Sequence, residues 1–365
     1  MSKIKKVCLI VGTRPQIIKS APILKSLRGS DFKVQLVHTG QHYDYQLSKA
    51  FFDEMDIMNP TVNLEVGSGT HIWQISQIMS RLEQVLLKLK PDMVLVPGDT
   101  NSALASALVA SKLNIKLAHV EAGARSNDFS MPEEVNRRLI DHCSSILFAP
   151  TRNCLTNLRN ESIFGDSHMT GDTMYDSFLG NYDGIKRSKV TEKLGLNNKG
   201  YVTVTIHRTE NVDVEANLCM VMRILNGITN QGIEVVFPMH PHTKSKLRGF
   251  KIPYNGITVV DPLGYYDMLK LSGDASIVLT DSGGLQKEAF WLGVPCITLR
   301  NSTEWQETVK LKVNFVLGLN KKAILRKVYQ ITNNSDFQKR FRNIRNPFGD
   351  GKASRRIVSL LSRIN

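Results

Sequence analysis

The stretch Val7-Cys8-Leu9-Ile10-Val11, followed by Gly12-Thr13-Arg14-Pro15, indicates the fold class of this chain. A short apolar run predicts a buried strand, and the glycine-containing turn predicts its end. Residues 16–27 then place apolar side chains at helical spacing. A strand that leads through a tight turn into an amphipathic helix is the first half of a βαβ unit, which predicts a parallel sheet.

The same alternation continues along the chain in two series. In the first series, predicted strands at 34–37, 93–96 and 116–120 alternate with predicted helices at 72–89 and 103–112. In the second, predicted strands at 201–206, 234–239, 257–260 and 276–280 alternate with predicted helices at 216–228 and 283 to about 292. We therefore predict an α/β protein with two Rossmann-like, doubly wound domains.

The chain of 365 residues is too long for one ordinary core. Polar, glycine-containing sequence separates the two series between about residues 180 and 200. We predict an N-terminal Rossmann-like domain over 1–171 and a C-terminal one over 172–346, joined near 172–200. Ligands of open α/β sheets bind at the carboxyl ends of the strands, and the unusual polar clusters of this chain fall there.

The composition predicts a soluble globular protein, with 42% hydrophobic residues and no apolar stretch of about 20 residues. The net charge of +14 comes from lysines spread along the whole chain, without a nucleic-acid motif. We therefore expect neither nucleic acid nor membrane as a partner. The first apolar run is too short for a signal peptide, and five scattered cysteines indicate buried, reduced thiols, so a cytoplasmic location is expected.

The turn after the first predicted strand is a candidate anion site. Its backbone N–H groups face the start of a helix, and Arg14 and Lys19 can add charge and hydrogen bonds to a diphosphate. The spacing matches neither G-x-G-x-x-G nor a P-loop, so a nicotinamide or Walker-type site is not indicated. Taken alone, the stretch could be only a turn.

Three carboxylates of the first series are expected to gather at one sheet edge. Asp99 and Glu121 follow predicted strands, and Glu133 lies in the first turn of a predicted helix. Crowded carboxylates raise one another's pKa, which can make one an acid and another a base. Alternatively, Asp99 is a helix cap, and the carboxylates form surface salt bridges with Arg125, Arg137 and Arg138. Glu121 fits that alternative least well.

The second series carries its own candidate residues. His207 and Arg208, at the end of a predicted strand, can contact a phosphate, although His207 could instead be a surface residue beside a capping Glu210. The run Ser282-Gly283-Gly284 opens a helix, where backbone N–H groups suit phosphate oxygens, and Glu288 could reach ribose hydroxyls. His240 also follows a strand, but the further ligands that a metal would need are not identifiable.

Together these clusters resemble the non-hydrolysing UDP-N-acetylglucosamine 2-epimerases. The resemblance runs in order through residues 12–15, 98–100, 119–123, 132–137, 207–208, 281–288 and 346–353. It implies a glycosyltransferase-B-type fold with the active site in the interdomain cleft and a C-terminal helix, about 347–365, that packs back on the first domain. It also implies a homodimer that acts without a metal or other cofactor. UDP is eliminated from C1 as the C2 proton is removed, and it re-adds to the glycal while the opposite face of C2 is protonated.

The resemblance also implies roles for individual residues. It assigns acid/base catalysis to Asp99, Glu121 and Glu133, and assistance to the departing UDP to His207. The implied substrate-binding residues are Arg14, Lys19, Gln41, His42, Arg137, Arg208, His240, Ser282, Gly283, Gly284 and Glu288.

The substrate stays open between UDP-N-acetylglucosamine, with UDP-N-acetylmannosamine as its epimer, and the 2,3-diacetamido-glucuronate analogues, all precursors of surface polysaccharides. Gln16 stands where the common family version has Glu, as in the diacetamido-glucuronate branch. Residues 37–44 and 303–305 also resemble that branch and archaeal relatives. Asp44 leaves activation by a second UDP-sugar open. A hydrolysing 2-epimerase that releases UDP and N-acetylmannosamine, and a glycosyltransferase of the same architecture, are the alternatives.

Overall fold

The computed structural model describes residues 4–41, 52, 55–334, 341 and 344–364. The chain forms two compact units. Unit 1 comprises Met1–Gly180 together with Asn346–Asn365, and unit 2 comprises Asn181–Arg345.

Unit 1 is built on a parallel sheet of seven strands in the order β3-β2-β1-β4-β5-β6-β7. The strands are β1 (Lys6–Val11), β2 (Lys33–His38), β3 (Val62–Asn63), β4 (Met93–Pro97), β5 (Lys116–Val120), β6 (Ile146–Ala149) and β7 (Asp166–Met169). The helices that alternate with them are α1 (Arg14–Arg28), α2 (His71–Leu89), α3 (Asn101–Lys112), α4 (Pro132–Cys143), α5 (Arg152–Asn160) and α6 (Thr173–Gly180).

Unit 2 repeats the arrangement with a parallel sheet of six strands in the order β10-β9-β8-β11-β12-β13. The strands are β8 (Tyr201–Thr205), β9 (Glu234–Pro238), β10 (Thr258–Val260), β11 (Ile277–Thr280), β12 (Cys296–Thr298) and β13 (Asn314–Val316). The helices are α7 (Tyr182–Arg187), α8 (Val190–Lys193), α9 (Thr209–Val212), α10 (Glu215–Thr229), α11 (Pro241–Gly249), α12 (Tyr265–Asp274), α13 (Gly283–Trp291), α14 (Gln306–Lys310) and α15 (Lys321–Thr332).

In each sheet the strand order reverses once, between β1 and β4 in unit 1 and between β8 and β11 in unit 2. Such a reversal leaves a crevice at the carboxyl ends of the two strands, where ligands of this fold class bind. The predicted fold class, two Rossmann-like doubly wound domains, is confirmed. Fully buried side chains such as Ile10, Val94 and Val96 explain why apolar runs identified these strands.

The chain returns to unit 1 at its C-terminal end through helix α16 (Ala353–Leu361), which packs on α1 and α6. The Asp176 carboxylate of α6 accepts hydrogen bonds from the backbone N–H of Ala353 at 3.1 Å and of Ser354 at 2.7 Å. Phe348, which precedes α16, is fully buried. Because α6 packs on α1, unit 1 ends after this helix, whereas the predicted boundary at 171 lies before it.

Two local expectations differ from the structure. The polar stretch from about 180 to 200 contains the short helices α7 and α8, whose apolar residues Ile185 and Val190 are buried. Cys8, Cys154 and Cys296 are buried as expected, but Cys143 and Cys219 are partly exposed. Burial raises the pKa of the Cys8 thiol to about 12. In the described part of the chain, no helix is long and apolar enough to cross a membrane.

We expect Phe348→Ala to lower the free energy of unfolding of unit 1 by about 3–5 kcal/mol, because the change leaves a cavity in a closely packed core. Urea unfolding followed by circular dichroism would measure the difference. The matched control is Phe164→Ala, whose ring is fully exposed and whose loss should change the stability by less than about 0.5 kcal/mol. Equal effects of the two substitutions would contradict the packing of this segment.

Candidate active site

The first candidate feature lies where β1 and β4 end side by side. The buried Gln16 carboxamide joins them: its Oε1 accepts a hydrogen bond from Gly12 N at 2.8 Å, and its Nε2 donates to Pro97 O at 2.8 Å. A Cβ atom at Gly12 would lie 2.1 Å from both Thr39 Oγ1 and Ser102 Oγ, so only glycine fits there. Both ends of the Gln16 carboxamide are therefore engaged inside the fold.

Glu121 stands immediately after β5 in a strained backbone conformation. Its φ of +73° is in the left-handed region, which costs a non-glycine residue about 1–3 kcal/mol and is typical of functional sites. Glu121 Oε1 lies 2.8 Å from Lys19 Nζ of α1, and the two side chains are only 9% and 11% exposed. This largely buried ion pair excludes a simple surface salt bridge for Glu121.

Asp99 follows β4 and is held by α4. Its Oδ2 accepts hydrogen bonds from Nε, at 3.2 Å, and Nη2 of Arg137, and its backbone carbonyl accepts one from Asn136 Nδ2 at 2.9 Å. The alternative of Asp99 as the cap of α3 is wrong. Thr100 takes that position, and its Oγ1 accepts a hydrogen bond from Ala103 N at 3.2 Å.

Three other predicted residues of unit 1 lie in, or contact, the first turn of a helix. Glu133 and Arg14 lie in the first turns of α4 and α1, and both are partly exposed. Gln41 Oε1 accepts hydrogen bonds from N and Oγ of Ser102, at 3.1 and 2.6 Å, at the start of α3. His42 lies outside the described residues. We refer to Asp99, Glu121 and Glu133 as the carboxylate set.

A continuous chain of ion pairs lies behind the carboxylate set, and sequence reasoning did not find it. It runs through Asp99, Arg137, Glu134, Arg138, Glu161, Arg125, Asp141 and His119, with each neighbouring pair at most 3.0 Å apart. Its α4 members are spaced so that they share one face of that helix, and this spacing was the available signal. Arg125 and Arg137 are buried, so the alternative of surface salt bridges is wrong for these two residues.

In unit 2, the buried Asp281 organises the end of β8. Its carboxylate accepts hydrogen bonds from the backbone N–H of His207 and Arg208 and from Asn211 Nδ2, and it lies 3.0 Å from His207 Nδ1. Burial by itself would raise the pKa of Asp281, but His207 and the hydrogen bonds lower it overall. The His207 side chain is nevertheless 56% exposed and can reach a ligand.

Helix α13 presents its N-terminus at the end of β11. Ser282 caps it, with Oγ accepting from Leu285 N at 3.5 Å, and Gly283 begins the helix. A Cβ atom at Gly283 would lie 2.1 Å from Glu304 Oε1, so a larger residue there would displace the Glu304 side chain. Gly284 also lies in the first turn, and Glu288 is buried farther along α13. This geometry suits an anion at the N-terminus.

His240 caps helix α11, where its Nδ1 accepts a hydrogen bond from His242 N at 3.2 Å. Partial burial, with smaller contributions from the charges of His242 and His207, lowers the pKa of His240. His240 is therefore neutral at neutral pH and serves as a hydrogen-bonding group. Among the described residues, no group of three His, Cys, Asp or Glu side chains has the geometry to hold a metal ion.

A family model for UDP-N-acetylglucosamine 2-epimerase matches residues 25–362. The chain belongs to the UDP-N-acetylglucosamine 2-epimerase family. This confirms the predicted family and makes the chain an enzyme of the isomerase class.

Known relatives extend over nearly the whole chain. A UDP-N-acetylglucosamine 2-epimerase homologue of Methanococcus maripaludis is 44% identical, over 98% of this chain and 100% of the relative. A UDP-2,3-diacetamido-2,3-dideoxy-D-glucuronate 2-epimerase of Pseudomonas aeruginosa is 38% identical, over 98% and 100%. The crystal structure of the Methanocaldococcus jannaschii UDP-GlcNAc 2-epimerase, in complex with UDP-GlcNAc and UDP, matches with 43% identity and a TM-score of 0.91, covering 98% of this chain and 99% of that one.

We expect Asp281→Asn to lower the free energy of unfolding by about 1–3 kcal/mol near pH 6, because several buried donors lose their charged acceptor. The folded-state pKa of Asp281 lies below the ordinary value, so its contribution is complete above about pH 4 and is lost as the pH falls further. Urea unfolding at pH 3 to 7 would therefore show the difference between wild type and variant shrinking in acid. The control is Asp261→Asn at an exposed position, which should have little effect; a pH-independent difference for Asp281→Asn would refute the linkage.

Proposed function

We propose that this chain is a non-hydrolysing 2-epimerase of UDP-2-acetamido sugars. The observation that carries the proposal is the pair Asp99 and Glu121, which follow adjacent strands and are each held by a cation, Arg137 and Lys19. Inversion at C2 needs one group that removes a proton and another that returns one to the opposite face. A cation-paired carboxylate can accept the C2 proton, and another member of the carboxylate set, which carries a proton, would return one to the opposite face.

The proposed reaction starts with removal of the C2 proton by a carboxylate. The C1–O bond breaks, its electron pair leaves with UDP, and a glycal remains. UDP then re-adds to C1 while a protonated carboxylate delivers a proton to the other face of C2, so atoms and charge balance without a redox step. Arg14, in the first turn of α1, and Arg137, beside Asp99, would bind the sugar or its phosphates.

Residues of unit 2 are proposed to hold the UDP throughout. The N-terminus of α13, with Ser282, Gly283 and Gly284, would bind the diphosphate, and Glu288 would bind the ribose. Arg208 and His240 would add contacts at the ends of β8 and β9. His207, exposed yet paired with Asp281, would stabilise the charge that develops on departing UDP.

For the substrate we propose UDP-N-acetylglucosamine, with the 2,3-diacetamido-uronate analogue as the second candidate. The relatives that support the first are 41–44% identical, against 38% for the relative named for the second. Gln16, where this chain resembles the diacetamido-glucuronate branch, uses both ends of its carboxamide inside the fold. Because both ends of its carboxamide are used in this way, Gln16 gives no evidence for a direct contact with either sugar. A homodimer, a cytoplasmic location and the lack of a nucleic-acid partner stay predictions.

Incubation of the purified protein in D2O with UDP-N-acetylglucosamine, and in parallel with its 2,3-diacetamido-uronate analogue, tests the function. Proton NMR should show deuterium at C2 and a second UDP-sugar epimer, with UDP retained. The faster substrate identifies the branch. Accumulation of free UDP and N-acetylmannosamine would indicate the hydrolysing alternative. UDP binding without exchange at C2 would refute the epimerase and favour a glycosyltransferase.

Glu121→Gln should reduce kcat by about 10²–10⁴-fold with a small change in KM, because the amide cannot exchange a proton with C2. Steady-state epimerisation with UDP-N-acetylglucosamine would measure both constants. Glu83→Gln, on the exposed face of α2, is the matched control and should retain wild-type kcat. Full activity of Glu121→Gln would show that Glu121 does not take part in the proposed acid/base catalysis.

A further inference from the structure

His119, on β5, has an acceptor at each ring nitrogen. Nδ1 lies 2.6 Å from Asp141 Oδ1, and Nε2 lies 2.8 Å from the Gly98 carbonyl oxygen. A neutral imidazole has one N–H donor and one acceptor nitrogen, so it can satisfy only one of these contacts. Both hydrogen bonds form only when both nitrogens carry a proton. The His119 ring is almost completely buried between these two acceptors.

Asp141 supplies the counter-charge from α4. Its Oδ1 faces His119, and its Oδ2 lies 2.7 Å from Arg125 Nη1 and accepts from Gly123 N at 3.1 Å. Burial by itself would raise the pKa of Asp141, but His119 and Arg125 lower it overall. The fully buried Asp141 carboxylate thus has a partner at each of its oxygens.

The contacts of His119 and Asp141 involve the turns that follow β4 and β5, and these turns carry the proposed acid/base groups. Gly98, with φ of +71°, immediately precedes Asp99, and its carbonyl is the group to which His119 donates. Glu121 lies between His119 and Gly123, and both of these are bonded to Asp141. One buried pair thus ties the turn before Asp99 to the turn around Glu121.

We propose that the His119 imidazolium, anchored by Asp141, is a positioning group that sets the separation and orientation of Asp99 and Glu121. This inference rests on the proposed epimerase function. A shift of about 1 Å in a reacting group can cost about 10²-fold in rate, which is the size of effect that a misplaced Asp99 should produce. Neither His119 nor Asp141 exchanges a proton with the substrate in this proposal.

Two amide variants separate the two hydrogen bonds. In His119→Asn the amide N–H can take the place of Nδ1 and donate to Asp141, but it is too short to reach the Gly98 carbonyl. In His119→Gln the longer amide can donate to that carbonyl in place of Nε2. We expect His119→Asn to lose about 10–100-fold in kcat with KM changed less than twofold, and His119→Gln to recover a large part of that loss. His142→Asn, at an exposed position of α4, is the matched control and should keep wild-type kcat.

A second readout distinguishes positioning from support of the fold. If Asp99 or Glu121 is misplaced, the glycal is reprotonated slowly and escapes, so His119→Asn should release more free UDP per epimerisation than wild type. Titration with UDP, followed by fluorescence or calorimetry, checks that the variant is folded and still binds UDP. If the wild type exchanges the C2 proton but His119→Asn shows unchanged kcat and unchanged UDP release, the inference is overturned and the proposed function is left intact. If the wild type itself shows no exchange at C2, the proposed epimerase function is refuted.

Histidine-selective 15N NMR of the wild type keeps the proposal testable even if the variants do not fold. One histidine should show two protonated ring nitrogens that are protected from exchange with water. The absence of any such imidazolium would overturn the assignment of His119.

Discussion

Buried charge must be paired, and much of unit 1 follows from that constraint. A single uncompensated ion in the interior costs several kcal/mol, yet Glu134 and Asp141 are completely buried. Each of these buried carboxylates is stabilised by ion pairs with neighbouring side chains. The chain of ion pairs extends to Asp99 at one end and to His119 at the other. Helix α4 cannot shift without breaking several of these pairs. Asp99 is therefore held by these ion pairs, while Glu121 is held separately by Lys19.

Each unit contains a pair of one aspartate and one histidine, and the two pairs differ in what the histidine does. Asp141 binds a histidine that is buried and engaged at both ring nitrogens, whereas Asp281 binds one that is largely exposed. The buried His119 ring contacts only groups of the fold, while the exposed His207 ring can reach a ligand. The surroundings of a histidine, more than its carboxylate partner, decide whether it supports a structure or takes part in binding.

The sequence predicted the fold well because apolar runs and helical spacing are local signals, and the strand ends located Asp99, Glu121 and His207. It did not reveal Asp141, because the contact with His119 spans 22 residues and depends on how α4 crosses the strand ends. The charged face of α4 resembles a solvated surface in sequence, although it is buried. The inward position of Gln16 was equally hidden, because its partners lie at the ends of two different strands. Long-range pairing of polar groups is thus the part that local patterns miss.

The return of α16 to unit 1 has a consequence for how the chain matures during synthesis. Domains generally fold as units as they leave the ribosome. Here unit 1 begins first, but its helix α16 and the buried Phe348 are translated only after all of unit 2. Unit 2 has its whole sequence available earlier and can complete its fold while unit 1 waits. Until α16 is made, the surface of α1 and α6 that it covers stays exposed, and molecular chaperones can bind there.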